Sequence, residues 1–278
     1  MPDCTFEELS PHVDRFTPDD RTDRPALGAV HGERGTLLVE GGASVAHLGA
    51  FAAELAARGR PPVVGIALTH WHWDHSFGSA AIAAPVIAHI DTAAGLAVQA
   101  GYDWSDAALA ERVRDGREIA FCADCLRLEL PDRSDLEIVL PTETFAERRD
   151  VELGGVEVAL VHVGGDHAAD SVVVHVPADR VLFLGDCLYQ RLYAPEPLLT
   201  VAGVRALLAR LDGFDVALAV EGHDDDVADA AVFADRLAGL RHAADLVEQR
   251  GAGAAAAAAS DEDLAELVGF LLVGEGLA

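Results

Sequence analysis

Residues 62–75 read PVVGIALTHWHWDH, an apolar run that passes without a break into three histidines and an aspartate. The run reads as a buried strand. Such a strand needs a sheet covered on both faces, and its carboxyl end has to open where four polar side chains have somewhere to point. Side chains two apart on an extended segment share a direction, so His70 and His72 can reach one ion from the strand end. Asp74 and His75 lie beyond, where the chain turns toward a helix, and can face a second ion beside the first. A lone histidine is explained well enough as an ordinary polar residue; a tetrad at H-x-H-x-D-H spacing is better explained by metal.

The neighbouring segments supply the sheets. TLLVEGG (36–42) reads as a second buried strand and the alanine-rich segment 45–58 as the helix between the two. PVIAH (85–89) adds a short strand, followed by a polar, helix-prone region over 91–132 that looks like an insertion or cap. VELGGVEVALVHVGG (151–165) has two alternating runs joined by Gly154 and Gly155, the pattern of a tight hairpin. A second hairpin turns at 177–179, and FDVALAVEGH (214–223) gives a last strand ending on a histidine. Helices are expected over 201–211 and about 226–249. The run GAGAAAAAAS (251–260) reads as a linker, with Ser260 capping a final helix and Asp263 in the capping-box position. The expectation is one α/β domain over 1–278, two sheets packed face to face with helices outside, and a carboxyl-terminal helical extension over 226–278.

Composition narrows the partners. With 47 acidic and 20 basic residues the formal charge is −27, and every basic residue is arginine. That field repels phosphate backbones, so nucleic acid is not an expected partner, and a strongly anionic substrate would need an arginine cluster that the sequence does not display. No apolar run approaches the roughly 18–20 residues of a membrane span. The acidic amino terminus lacks the apolar centre of a secretory signal, which points to the cytoplasm. Four cysteines are too few for a disulfide scaffold. The pair Cys122 and Cys125 has C-x-x-C spacing but no second pair, and reads as ordinary thiols with a redox pair as the alternative.

A catalytic zinc takes about three protein ligands and keeps one position open, so two sites need more than the tetrad. Downstream strand ends offer His167 in VGGDHAAD, Asp186 in LFLGDCLY and His223 in VEGH, each after a buried run and in a glycine-bearing turn. A carboxylate can lend one oxygen to each of two ions, which suits Asp186 to a bridging role. His12, His31, His47, His89, His162, His175 and His242 fit no ligand pattern. Of Trp71 and Trp73, one is expected in the core and the other at the pocket mouth.

Taken in order, THWHWDH, GGDHAADS, LFLGDCLY and EGH resemble the motifs of the metallo-β-lactamase superfamily over roughly residues 36–223. The resemblance implies a four-layered αβ/βα sandwich with a dimetal site at one edge, occupied by two zinc ions per chain, with iron or manganese as other candidates. It implies that His70, His72 and His167 bind the first metal, that Asp74, His75 and His223 bind the second, and that Asp186 bridges them. The chain departs from the family in having Glu40 where an aspartate is usual and Ala168 where threonine is common. Cys187, next to Asp186, stands as the alternative ligand if the register slips by one. Tyr189, three residues after Asp186, is similar in spacing to a tyrosine of lactonases in this superfamily, where it can hydrogen-bond a substrate carbonyl oxygen; a half-buried structural tyrosine is the other reading.

Two zinc ions about 3.5–4 Å apart can share a water and lower its pKa toward ~7, giving hydroxide for attack on an acyl carbon. Asp74 can orient that nucleophile or move a proton. The function expected is therefore hydrolysis of an ester, thioester, lactone or amide of a small molecule. A mononuclear iron persulfide dioxygenase and a non-catalytic, metal-stabilised binding module are the competing readings. Oligomeric state is open, a homodimer included.

Overall fold

The computed structural model describes residues 4–278. One sheet joins β1 (Phe6–Ser10), β2 (Val13–Phe16), β3 (Leu27–Gly32), β4 (Gly35–Val39), β5 (Val63–Ala67), β6 (Val86–His89) and β7 (Glu143–Phe145) in chain order. The other joins β8 (Arg148–Glu152), β9 (Glu157–His162), β10 (Val172–Val176), β11 (Val181–Gly185), β12 (Leu218–Glu221) and β13 (Ala228–Asp229), again in chain order. Both are mixed. The strands from β4 to β7 run parallel, as do β11 and β12, and the remaining pairs are antiparallel.

Alternation along the strands decides the layering. Leu37 and Val39 of β4 and Val172, Val174 and Val176 of β10 enter one apolar cluster shared by the two sheets. Their neighbours Leu38 and Val173 point the other way, Leu38 into a cluster beneath α1 (Val45–Ala57) and Val173 into another beneath helices of the second half. Helix α1 begins where the Ser44 hydroxyl accepts from the His47 N–H. It buries Leu48, Phe51 and Leu55, each stabilising the fold by about 1.5–3 kcal/mol. The result is a helix, sheet, sheet, helix sandwich of the expected class.

The one-turn helix α2 (Trp73–Ser76) carries part of the tetrad. The 91–132 region is largely helical, with α3 (Ile90–Gln99), α4 (Asp106–Arg114) and α5 (Ala120–Glu129). In the second half α6 (Val201–Leu211) and α7 (Ala230–Arg250) cover the outer face, joined by α8 (Ala252–Ala258) and α9 (Glu262–Gly274). Gly154 and Gly155 both take positive φ, 85° and 84°, in a two-residue turn between β8 and β9.

Three local expectations are corrected. The alanine run is not a linker but contains helix α8, with Ala255 fully buried, because alanine is the best helix former and is small enough to pack tightly. The final helix is capped by Asp261, whose carboxylate accepts from the Leu264 N–H at 2.9 Å, rather than by Ser260. The helix expected from about 226 begins at Ala230, after the short strand β13. Among the described residues no helix is long and apolar enough to cross a membrane.

Candidate metal centre

The site lies where β5, β9, β11 and β12 end. Past β5 the chain bends over residues 69–71, is extended again at His72, with φ −61° and ψ 152°, and then winds into α2. That change swings Asp74 and His75 away from the direction of His70 and His72. The turn of helix is held from outside, since Gly41 N–H donates to the His75 carbonyl at 2.7 Å. The two sheets are tied at the same edge by Val172 N–H donating to the Thr69 carbonyl at 2.8 Å and Ala26 N–H, next to β3, donating to the Gly222 carbonyl at 2.6 Å.

All seven candidate side chains converge. His70, His72 and His167 form one group that could hold a metal ion, and Asp74, His75, Asp186 and His223 form another, with potential ligand atoms within 4.8 Å of one another in each. His72 Nδ1 and His167 Nε2 are 3.0 Å apart. Asp186 faces both groups: its Oδ2 lies 4.0 Å from His70 Nε2, 3.4 Å from His167 Nε2, 3.3 Å from His75 Nε2 and 3.4 Å from His223 Nε2. Asp74 Oδ2 lies 2.9 Å from His75 Nε2 and 3.2 Å from His223 Nε2. Cys187 instead points into the apolar cluster with Leu184, Leu199 and Leu207.

The outward ring nitrogens are also engaged. Thr69 Oγ1 is 3.0 Å from His70 Nδ1, and the Gln190 carbonyl is 3.0 Å from His167 Nδ1. Glu40, at φ 75°, accepts from the Thr69 N–H and sets Oε1 3.0 Å from His75 Nδ1, close in distance but not aligned as a hydrogen bond.

Burial and neighbouring charge split the cluster in two. Burial, reinforced by His75 and His72, keeps His70 far below the usual histidine range. Burial and His167 hold His72 down to about 3, and burial lowers His167 too. All three are neutral imidazoles, the form that ligates a metal. In the other group burial alone would pull His75 and His223 down, but Asp74 and Asp186 push both well above the ordinary value. Burial opposes ionisation of Asp74 and Asp186 as well, yet His75 and His223 hold both carboxyls well below the ordinary range.

A cation resolves what these residues leave open. His70 Nε2, His75 Nε2 and Asp186 Oδ1 are buried without a hydrogen-bond partner, which is costly in an apolar interior. Asp74 and Asp186 draw protons toward His75 and His223, and a divalent ion would balance the same two carboxylates in their place. A Cβ at Gly222 would lie 2.0 Å from Asp186 Oδ1, so only glycine leaves this carboxylate its place. The donor set of imidazoles and carboxylates fits zinc, iron or manganese.

A cavity of about 270 Å³ opens onto His72, Asp74, His167, Asp186 and His223, walled also by Asp23, Phe121, Cys122, Tyr189 and Tyr193. Among the described residues no arginine lines it. Trp73 is buried against Phe77 and reaches the cavity, while Trp71 packs beside Gly95 and Tyr193. Burial, with Asp186 adding, pushes the Tyr189 hydroxyl up, so it remains a proton donor. Both cysteines of the C-x-x-C pair are free and buried in α5. Burial pushes Cys125 up to about 11 and Cys122 higher still, away from the reactive thiolate form. Asp23, Glu118 and Tyr193 were not singled out by sequence reasoning; the Tyr193 hydroxyl donates to Glu118 Oε1 at 2.8 Å across 75 residues, a pairing with no local signature.

Solved structures with this fold include a metallo-beta-lactamase from Pontibacter korlensis, 20% identical, with a TM-score of 0.59 over 84% of this chain and 97% of that one. A metallo-beta-lactamase from Hirschia baltica is 16% identical with a TM-score of 0.60, over 86% and 97%. A stereoselective inverting sec-alkylsulfatase from Pseudomonas sp. is 16% identical with a TM-score of 0.65, over 88% of this chain but only 42% of its own length. No curated protein sequence matches. Residues 28–246 match the family model of the metallo-beta-lactamase superfamily, a span that holds the strands from β4 to β13 and all seven candidate ligands, and the chain belongs to that superfamily.

Proposed function

We propose that this protein is a dimetal hydrolase, with zinc as the working ion, that cleaves an ester, thioester, lactone or amide bond of a small molecule. The observation that carries the reading is Asp186 Oδ2, a single carboxylate oxygen within 4.0 Å of ligating nitrogens from both groups. His70, His72 and His167 would hold one ion and Asp74, His75 and His223 the other, with Asp186 shared. A four-residue second group supports two ions per chain over the single iron of a persulfide dioxygenase.

When bound, such ions acidify water and polarise an acyl oxygen. The protein's own residues would do the rest. Asp74, whose carboxylate lines the cavity, can accept a proton from the attacking water and pass it to the leaving atom. Tyr189 keeps its hydroxyl proton and lines the same cavity, where it can donate to a developing oxyanion. Phe121 and Trp73 give the cavity apolar wall, and the absence of arginine favours substrates without a second anionic group.

Metal analysis of protein purified without added zinc, together with a panel of ester, thioester, lactone, amide and cephalosporin substrates, tests the reading. Two zinc ions per chain and turnover that disappears in Asp186→Asn are expected. One iron per chain, or full turnover in that variant, would overturn it.

A further inference from the structure

Among the described residues, three that are not glycine take positive φ: Asp23 at 58°, Glu40 at 75° and Arg180 at 56°. Arg180 belongs to the hairpin turn between β10 and β11. The other two are carboxylates beside the same metal group, far apart in sequence. Glu40 faces the outward nitrogen of His75. Asp23 Oδ1 lies 3.6 Å from Nδ1 of His223, whose Nε2 faces Asp74 and Asp186. Left-handed backbone costs an L-residue free energy, and it persists where the surroundings over-determine it.

Here the surroundings do so. Asp19 and Arg24 close the turn around Asp23, with Asp19 N–H donating to the Arg24 carbonyl at 2.9 Å and Arg24 N–H donating to the Asp19 carbonyl at 3.1 Å. The Arg24 guanidinium pairs with Glu129 of α5 at 2.7 Å. Ala26 N–H donates to the Gly222 carbonyl at 2.6 Å, joining this segment to the loop that carries His223. None of these bonds uses the Asp23 carboxylate. The turn is built without it, and glycine or asparagine would meet the backbone conformation better. What the aspartate adds is a carboxyl oxygen facing an imidazole nitrogen.

We propose that Asp23 is a positioning residue for the second metal, the outer carboxylate of His223 as Glu40 is of His75. At 3.6 Å the carboxyl oxygen stands just beyond hydrogen-bond reach and acts on the ring through space. It favours the ring orientation with the Nδ1 proton toward Asp23 and the Nε2 lone pair toward the ion, and it raises the basicity of that lone pair. The inference rests on the reading of His223 as a ligand.

Metal binding to Asp23→Asn and Asp23→Gly tests it, because both residues suit positive φ and leave the turn intact. Cobalt titrated into metal-free protein reports each site by its visible spectrum, and competition with a chelator gives the affinities. In both variants the first equivalent should bind with the wild-type spectrum and affinity. The second should bind about 10–100-fold more weakly, with an altered spectrum. Wild-type affinity and spectrum for the second ion in Asp23→Asn would overturn the role given to Asp23 while leaving the ligands standing. Failure of the wild-type protein itself to bind a second ion would overturn both.

Discussion

Gly222→Ala is the sharpest perturbation of the candidate centre, because a methyl group added there meets one atom of consequence. The new Cβ would lie 2.0 Å from Asp186 Oδ1, with His75 Cε1 next at 3.1 Å, and contacts under 3.0 Å essentially never occur. The carboxylate must therefore retreat by about 1 Å, whereas metal–ligand distances hold to within about 0.2 Å. Gly222 does not use left-handed backbone, so the alanine strains nothing else. Overpacking of this kind costs about 1–3 kcal/mol, or roughly 2–10 °C in the melting of a chain this size. The functional loss should be larger: misplacement by ~1 Å lowers turnover about 100-fold. Metal content after dialysis, circular-dichroism melting and hydrolysis of whichever ester or lactone the wild type accepts measure the three effects. Two tightly held ions and wild-type turnover in Gly222→Ala would refute the assignment of Asp186 as the shared carboxylate.

Chelation should destabilise the protein reversibly: ions present at ~100 times their dissociation constant contribute about 2.7 kcal/mol, so melting should fall by roughly 5–10 °C and recover on adding zinc. An unchanged melt after verified metal removal would contradict a preformed site. Tyr189→Phe should retain both ions and lose about 100-fold or more in turnover if its hydroxyl stabilises the oxyanion, and equal turnover would leave Tyr189 a structural residue. Burial, with Arg24 adding, holds His47 down to about 3 against 6.5 for a free histidine. The stability tied to its neutral ring is complete above pH 6.5 and is lost as pH falls from 6.5 toward 3. The unfolding free energy of metal-free protein, from urea titration, should thus drop by about 2 kcal/mol from this group between pH 7 and 5, and His47→Gln should remove that part; an identical pH dependence in the variant would count against it.

Most of the metal cluster was legible in the chain because each candidate ligand follows an apolar run, and strand ends at one edge of a sandwich meet in space. Residue type and order carried the reading from His70 to His223. The N-terminal strands had no such signature. Asp14 and Arg15 of β2 are fully buried charges whose partners lie far along the chain: Asp14 pairs with His31 and Arg60, and Arg15 donates to the Asp225 carbonyl at 2.8 Å. A strand that buries ions against remote partners does not look apolar in sequence.

The chain alone determined the buried strands from β4 to β6 and from β8 to β12, most of their helical cover and the residue types that a divalent ion would need, because periodicity and ligand spacing are local properties. Tertiary structure decided that Asp186 rather than Cys187 faces the histidines, that Glu40 and Asp23 stand behind two of them, and that an alanine run becomes a packed helix. Each of those outcomes depends on which atoms are brought together across tens to hundreds of residues, and no local pattern encodes that.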